Sequence, residues 1–201
     1  MMGGQEGSER VAQKQRTRQA LLQAARELLA EGRQPTVPEA ADRAGISRAT
    51  AYRYFSRPEE MAQEAVLDAV AVEFERIDLD IARFSEPVRR AEHVVAAVLK
   101  MVLAREELFR TFLSLSAAGE RAGQRGGRRI RWLREALAPV QGDLPPKAFE
   151  RLLHGLALTC GIETIVVLKD VCSLDDPQAE NTARWVAGLL VEGALREASG
   201  R

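Results

Sequence analysis

The sequence has few cysteines, histidines and tyrosines, and it lacks long apolar runs. Of its 201 residues two are cysteine and two are histidine, which is too few for a disulfide framework and argues against a metal site. No run reaches the ~18 uncharged apolar residues that a membrane span needs, and no basic-then-apolar leader opens the chain. These absences predict a cytoplasmic protein without a membrane partner, a metal or another cofactor.

The charges balance overall but are unevenly distributed. The 29 basic and 29 acidic side chains give a net charge of zero. Residues 10–57 nevertheless contain ten basic and four acidic side chains, a net charge of +6, whereas residues 58–201 contain nineteen and twenty-three, a net charge of −4. A cationic segment on a mildly acidic chain favours a polyanionic partner, although chance can also produce such an excess in a short segment.

Helical periodicity runs through almost the whole chain, and no segment shows the sustained alternation of a β-strand. We therefore predict an all-α protein of about nine helices, with a disordered tail over residues 1–12, a three-helix head over 13–58 and a larger helical domain over 59–201. Capping and turn residues place the helices at residues 17–31, 38–44, 48–55, 58–84, 86–103, 106–118, 127–139, 146–169 and 177–198.

Local signals in the head predict two short helices joined by a tight turn. Thr36 and Glu39 have the spacing of a capping box, in which each side chain accepts from the other residue's backbone N–H at the start of a helix. Gly45 can end that helix because glycine adopts left-handed backbone angles easily, and Ser47 is a natural N-cap for the next one. This is the layout of a helix-turn-helix unit, with Ile46 as the apolar contact between its helices.

The second of these helices has the residue types that read a DNA duplex. Arginine reaches guanine acceptors, threonine contacts base edges or a thymine methyl, alanine allows close approach, and tyrosine hydroxyls donate to phosphates. Tyr52 and Tyr54 can instead close a small core, as we expect for Phe55. The candidate DNA-contacting residues are Thr36, Ser47, Arg48, Ala49, Thr50, Tyr52, Arg53, Tyr54 and Arg57, with Arg16 and Arg18 reaching the DNA backbone.

Several motifs occur together in residues 36–61: the capped helix, the Ala44-Gly45-Ile46-Ser47 turn, the Thr50-Ala51-Tyr52-Arg53-Tyr54-Phe55 segment and Glu59-Glu60-Met61. In this combination they resemble the N-terminal domain of TetR-family transcriptional regulators. The resemblance implies DNA contacts from Thr36, Ser47, Thr50, Tyr52 and Tyr54, with Arg48 and Arg53 at variable positions that tune sequence choice. The family's usual leucine is Ala51 here. A phosphate-binding lysine of the family falls on Pro58, so we expect Arg57 to supply that contact.

The last two predicted helices carry more apolar surface than one packed face requires. The resemblance implies that they form a four-helix bundle with those of a second chain. We therefore expect a homodimer that reads a palindromic operator on double-stranded DNA. Packing within one chain is the alternative. The predicted dimer interface contains Leu156, Glu163, Val167, Trp185, Gly188, Leu189 and Gly193.

A mixture of aromatic, aliphatic and titratable side chains in the larger domain is typical of a pocket for a small-molecule effector, and each of them is also compatible with an ordinary core. The pocket candidates are Phe109, Phe112, Leu113, Trp132, Leu133, His154 and Leu158. Six arginines between Arg121 and Arg134 form a second basic run. That run is a solvated face, an anionic effector site or an accessory DNA contact.

Together these patterns predict a homodimeric repressor that an unknown small-molecule effector releases from its operator. Release is expected to be a population shift, because a ligand that prefers the form with mis-spaced heads lowers operator affinity. A ligand-independent architectural regulator with the same head is the alternative. An enzyme is not expected, since neither His93 nor His154 has the neighbours of a nucleophile relay and the sequence has no phosphate loop.

Overall fold

The structure is a computed structural model that describes residues 3–118 and 127–200. Every regular element within those residues is helical, which confirms the all-α prediction. The chain divides into two compact units, Met1–Val72 and Glu73–Arg201, which we call the head and the body. The boundary lies inside the fourth helix, whereas the sequence prediction placed it at the start of that helix, after residue 58.

The described residues form ten α-helices, one more than predicted. The first four are α1 (Gly3–Ala30), α2 (Val37–Ala44), α3 (Arg48–Tyr52) and α4 (Pro58–Arg76). The others are α5 (Pro87–Ala104), α6 (Glu106–Ala118), α7 (Gly127–Leu137), α8 (Pro146–Ala157), α9 (Ile162–Ile165) and α10 (Asp176–Ala198). Short 3-10 helices lie at Ile81–Arg83 and Ala138–Asp143, and a π-helix at Val166–Val171 continues α9.

The first helix is longer than its apolar stripe indicates. The prediction began it at Thr17 and treated residues 1–12 as a disordered tail, but the structure places residues 3–12 in α1. No proline precedes Pro35. Residues 9–31 consist largely of arginine, glutamate, glutamine, alanine and leucine, which are good helix formers. Intrinsic helix propensity therefore extends α1 towards the N-terminus, beyond the stretch of the helix that packs in the head core.

The head has its own small hydrophobic core. Phe55 is buried, as predicted, and Ala51 of α3 is completely buried. The core also contains Leu21, Leu22, Ala24, Ala25, Leu28, Val37, Ala40, Ala41, Met61 and Ala65, with Leu29, Ala44, Ile46 and Tyr54 packed against it. The small side chains on α2 and α3 allow these short helices to lie close to α1.

The fourth helix ends at Arg76, eight residues before the predicted end at Phe84. The backbone N–H of Asp80 donates to Oδ1 of Asp78 at 3.3 Å, and Asp80 has a positive φ of 24°. Aspartate side chains that bond to nearby backbone groups compete with helical hydrogen bonds. The apolar spacing that suggested a longer helix therefore continues past a polar break.

The predicted helix over 146–169 is broken after Ala157. Gly161 at the break has a φ of 146°, a conformation that side chains with a Cβ rarely adopt. A Cβ on Gly161 would lie 1.9 Å from Nη1 of Arg129, which donates to the carbonyl oxygen of Cys160 at 2.5 Å. The Oγ1 of Thr164 donates to the carbonyl oxygen of Leu158 at 2.7 Å. These contacts satisfy carbonyl oxygens at the break. The break divides the predicted helix into α8 and α9, which gives one helix more than predicted.

The body core is centred on α5 and α10. Gly188 of α10 lies against α5, where a Cβ would come within 3.1 Å of Oε1 of Glu92. Alanines line the same side of α10, so the two helix backbones approach closely. The buried residues of this pair are Ala91, Val94, Val95, Val98, Leu99 and Val102 on α5 and Ala179, Ala183, Ala187 and Val191 on α10.

One arginine of α5 holds the C-terminal end of α7. Nε of Arg90 donates to the carbonyl oxygen of Ala136 at 2.7 Å, and its Nη2 donates to that of Glu135 at 3.1 Å. Its Nη1 donates to the carbonyl oxygen of Phe84 at 3.3 Å. The last carbonyls of a helix have no partner within the helix, so Arg90 satisfies acceptors that α7 leaves open.

An ionic network joins the π-helix to α6 and α10. Nζ of Lys169 lies 2.6 Å from Oε2 of Glu106 and 2.6 Å from Oδ1 of Asp176. Arg110 forms two hydrogen bonds of 2.7 Å with Asp170. The contact with Lys169, followed by that with Arg110, holds the pKa of Glu106 below its usual value. The pKa of Asp170 is lowered by Arg110.

None of the helices in the described residues is by itself long and apolar enough to cross a membrane. The segments Pro146–Ala157 and Ile162–Val171 meet that criterion only jointly, by length and composition, and they meet at a bend of 57°. Leu152, Leu153 and Ile165 of these segments are buried in the body core, which accounts for their apolar character.

Candidate nucleic-acid interface

The two short helices of the head are fixed at their ends by their own side chains. The N–H of Glu39 donates to Oγ1 of Thr36 at 3.4 Å, and the N–H of Thr36 donates to Oε2 of Glu39 at 3.1 Å, which confirms the predicted capping box. Gly45 ends α2 with a left-handed φ of 64°. Ile46 then contacts the head core, so the chain enters α3 at a fixed angle.

Ser47 caps α3 as predicted. The N–H of Thr50 donates to Oγ of Ser47 at 3.2 Å, and the two hydroxyls are 2.9 Å apart. The helix ends at Tyr52 rather than at Phe55, although the N–H of Phe55 still bonds to the carbonyl oxygen of Ala51 at 3.0 Å. The turn after α3 therefore keeps Phe55 in the core.

The outer face of α3 is polar and open to water. Arg48, Ala49, Tyr52 and Arg53 are exposed, and Tyr52 retains 48% of its surface. Tyr54 is half-buried against the head core. The two tyrosines thus differ: about half of the Tyr52 surface is open to a ligand, whereas Tyr54 packs against the head core.

The remaining predicted DNA contacts surround this face. Thr36, Ser47, Arg16 and Arg57 are exposed, and Thr50 and Arg18 are half-buried. These predicted contacts of the head thus lie on α1, on α3 and at the starts of α2, α3 and α4, all within one unit.

Acidic side chains already contact several of the basic ones. Arg48 forms an ion pair with Asp42, and Arg57 forms one with Glu60. The Arg48 guanidinium lowers the pKa of Asp42, and hydrogen bonds from Arg57 lower the pKa of Glu60. Asp42 and Glu60 therefore stay ionised at neutral pH.

The basic residues differ in how firmly they are held. Arg18 pairs with Glu64 and lies 5.3 Å from the ring centroid of Phe55, so its charge is partly used within the head. Arg16 and Arg53 make no ion pair within the described part of the chain. Asp42 and Glu64 lie six and 46 residues from their arginines, so local spacing does not indicate these pairs, whereas Glu60 is only three residues from Arg57.

Some of the predicted pocket residues meet in the body around an aromatic side chain that the pocket prediction omitted. Phe74 stacks on Trp132 with 5.5 Å between ring centroids and meets Phe109 edge-on at 6.0 Å. The guanidinium of Arg128 lies 5.8 Å from the Phe74 ring. Leu133 is fully buried, and Phe112 and Leu113 are half-buried.

Two pocket candidates lie elsewhere. His154 is exposed on α8, and Leu158 keeps 79% of its surface at the break after α8. Their assignment to a pocket rested on side-chain type alone, and their exposure does not favour an enclosed site that contains them. The break turns Leu158 outward instead of continuing the buried stripe.

The predicted dimer residues separate into buried and exposed groups. Leu156 is completely buried and Gly188 packs on α5 of its own chain, so neither is available to a second chain. Glu163 lies 3.1 Å from Arg129 of the same chain, and a Cβ on Gly193 would meet nothing within 4 Å. Large apolar side chains are exposed on the segment after α8, on the π-helix and on α10, and we refer to them together as the apolar face: Leu158, Val167, Val171, Trp185 and Leu189.

The second basic run is largely engaged with the rest of the body. Arg128 lies over Phe74, Arg129 holds Cys160, and Arg134 pairs with Glu150 at 2.7 Å. Arg131 is exposed, and Arg121 and Arg125 lie outside the described residues. These contacts favour a structural role for the described part of the run.

Among the described residues no group of three or more histidine, cysteine, aspartate or glutamate side chains could hold a metal ion. Burial raises the pKa of the Cys160 thiol to about 11, so this thiol stays protonated and is a poor nucleophile at neutral pH.

Comparison with known proteins agrees with this geometry. Residues 21–65 match the family model described as bacterial regulatory proteins, tetR family. The fold is similar to a TetR transcriptional regulator from Rhodococcus sp. RHA1, with a TM-score of 0.58, 22% sequence identity, and coverage of 88% of this chain and 97% of the other. No curated protein sequence matches the chain significantly. The head therefore matches the tetR family model over residues 21–65, and the chain as a whole shares the fold of a TetR transcriptional regulator.

Proposed function

We propose that the protein is a homodimeric repressor that binds a palindromic operator in the cytoplasm and leaves it when a small-molecule effector binds. The single observation that carries the DNA-binding part is the capped α3, whose outer face presents Arg48, Ala49, Tyr52 and Arg53 to water. A short helix with an exposed arginine at its N-terminal end is suited to enter a major groove.

Each exposed side chain of the head has a distinct role in this proposal. Arg48 reads a base, and the small Ala49 allows the helix to approach the groove floor. The hydroxyl of Tyr52 donates to a phosphate, as do Thr36 and Arg57. These phosphate contacts fix the register of α3 on the duplex without themselves distinguishing sequences.

The apolar face supports a dimer. Its five residues lie on the segment after α8, on the π-helix and on α10, and Leu158 and Val171 keep 79% and 75% of their surface. Exposed large apolar side chains grouped on neighbouring elements mark an interaction surface. A second copy of the chain would cover the same surface on its partner and present two copies of α3 to the two half-sites.

The aromatic group formed by Phe74, Phe109 and Trp132 supports an effector site in the body. Flat rings with an adjacent guanidinium suit an aromatic or acidic small molecule. An effector that prefers the conformation with mis-spaced heads lowers operator affinity by its difference in binding energy. A regulator whose operator affinity no small molecule changes is the ligand-independent alternative.

Selection of binding sites from random duplex DNA tests the proposal directly. We expect the full-length protein to enrich a palindrome at low salt and to sediment as a dimer. Tyr52→Ala is expected to weaken operator binding by about 10- to 100-fold, because it removes a hydrogen bond to a charged group. Trp185→Ala serves as the complementary variant, which should weaken the dimer. A protein that enriches no sequence, or that stays monomeric, contradicts the proposal.

A further inference from the structure

The ion pair between α2 and α3 has a geometry that fits a role in base recognition. Nε of Arg48 donates to Oδ1 of Asp42 at 3.2 Å, and its Nη2 donates to Oδ2 at 2.7 Å. The carboxylate therefore holds one edge of the guanidinium, and a bidentate pair fixes its plane as well as its position. Both side chains are more than half exposed, so DNA has access to the rest of the group.

The other edge of this guanidinium remains for a ligand. A planar guanidinium that uses Nε and Nη2 on one edge still has a pair of N–H donors from Nη1 and Nη2 on the next. Such a pair matches the O6 and N7 acceptors of guanine in the major groove. We propose that Asp42 is a positioning residue, which holds Arg48 in the orientation that reads one guanine in each half-site. This inference rests on the proposed function.

The benefit of the ion pair is that it holds the Arg48 side chain in its binding orientation before DNA arrives. An unrestrained arginine loses rotamer freedom when it binds a base, and a side chain that is already held loses less. Asp42 also has a cost, because its negative charge is repelled by the phosphates around the groove. Its net effect is to favour the guanine that the open edge of Arg48 fits, while weakening attraction to DNA of any sequence.

A second ion pair of the head provides a matched control. Arg43 pairs with Glu31 in the same bidentate manner, at 2.5 and 3.1 Å. Arg43 lies on α2 and not on the helix proposed to enter the groove. Asp42→Asn and Glu31→Gln each remove one negative charge from the head, but only the first removes the support of a residue on α3.

The experiment measures, for the full-length protein and its variants, the affinity for the selected operator and for operators changed at each position. We expect Asp42→Asn to reduce discrimination at one guanine per half-site by about tenfold, and to leave affinity for unrelated duplex unchanged or higher. Glu31→Gln is expected to raise affinity for unrelated duplex similarly, without changing discrimination at any position. In an Arg48→Ala background, Asp42→Asn should no longer change base preference.

The possible results distinguish a failure of the Asp42 inference from a failure of the proposed function. Unchanged discrimination in Asp42→Asn, or tighter and equally selective operator binding, would show that Asp42 only competes with DNA for Arg48 and would overturn the inference. An equal loss in Glu31→Gln would assign the effect to net charge and overturn it as well. If the parent protein selects no sequence at all, the proposed function itself fails. Thermal unfolding of each variant checks that the head stays folded.

Discussion

The helix ends of the head and those of the body are fixed by contacts of different range along the chain. In the head, Ser47 caps α3 by bonding to Thr50, three residues away. In the body, Arg90 satisfies the end of α7 by reaching Ala136, 46 residues away. A cap of the first kind can be recognised in a sequence, whereas a contact of the second kind depends on how the helices pack.

The two units also expose different chemistry. The face of α3 is polar, and its Arg48 has an acidic partner, Asp42, that is itself exposed. The apolar face of the body keeps Trp185 63% exposed. Exposed ion pairs contribute little to stability, so the charges of the head are available for recognition, while the body relies on burial and on bonds between distant segments.

The largest expected effect tests the break in the body. Gly161→Ala should lower the free energy of unfolding by about 3 kcal/mol, because it strains the backbone and displaces Arg129. Urea unfolding measures the change. Gly193→Ala, where a Cβ meets nothing within 4 Å, should instead be neutral or stabilise α10 by up to about 1 kcal/mol. Similar losses in both variants would show that Arg129 and the backbone at Gly161 impose no special constraint.

A somewhat smaller effect tests the importance of distant hydrogen bonds. Arg90→Met keeps much of the side-chain length but leaves the carbonyl oxygens of Phe84, Glu135 and Ala136 without their donor. The free energy of unfolding should fall by about 2 kcal/mol. Arg196→Met on the exposed face of α10 is the control, expected within about 0.5 kcal/mol of the parent. Equal effects of the two substitutions would remove the distinction between the units.

Two exposed arginines of the head, Arg16 and Arg57, are expected to affect DNA binding and not stability. If Arg16 and Arg57 each neutralise one phosphate, alanine at either position should reduce the slope of log affinity against log salt by about one unit. Operator titrations at several salt concentrations give this slope. Arg196→Ala, far from α3 in the chain, should leave it unchanged. A variant that keeps the parent slope identifies an arginine that stays in water.

The smallest expected effect is the pH dependence of the ionic network. The folded-state pKa of Glu106 is lowered by Lys169 and then by Arg110, so its contribution to stability is complete above its ordinary pKa of 4.5 and is lost as pH falls through the folded value. Glu106→Gln should reduce the acid-dependent loss of stability by less than about 1 kcal/mol. Chemical unfolding between neutral and acidic pH measures it. An unchanged pH slope would mean that Glu106 makes no net contribution.

The sequence predicts helix bounds well where nearby residues fix them, and poorly where contacts between distant residues do. The start of α6 matches the prediction, and α2 differs from it by one residue at its start. The prediction missed the end of α4 and the break after α8, because Asp78 and Gly161 interrupt apolar patterns that continue beyond them. A periodic pattern records which residues are buried and not whether the helix between them is continuous.

The candidate site was predictable to a similar degree. Capping residues, an exposed arginine and a tyrosine located the face of α3 from local spacing. The pairing of Asp42 with Arg48 requires the angle between two helices, which Gly45 and Ile46 determine only in the folded chain. In the body, the stacking of Phe74 on Trp132 depends on how their helices pack, which local spacing does not show.

In the π-helix at Val166–Val171, the number of residues determines which side chains reach the neighbouring helices and which are exposed. Its wide turn places Val167 and Val171 on the apolar face while Lys169 and Asp170 reach α6 and α10. Deleting one residue there would restore ordinary helical pitch and leave one side chain fewer to divide between α6, α10 and the apolar face. Insertions and deletions should therefore be tolerated far less in these six residues than in the loops on either side.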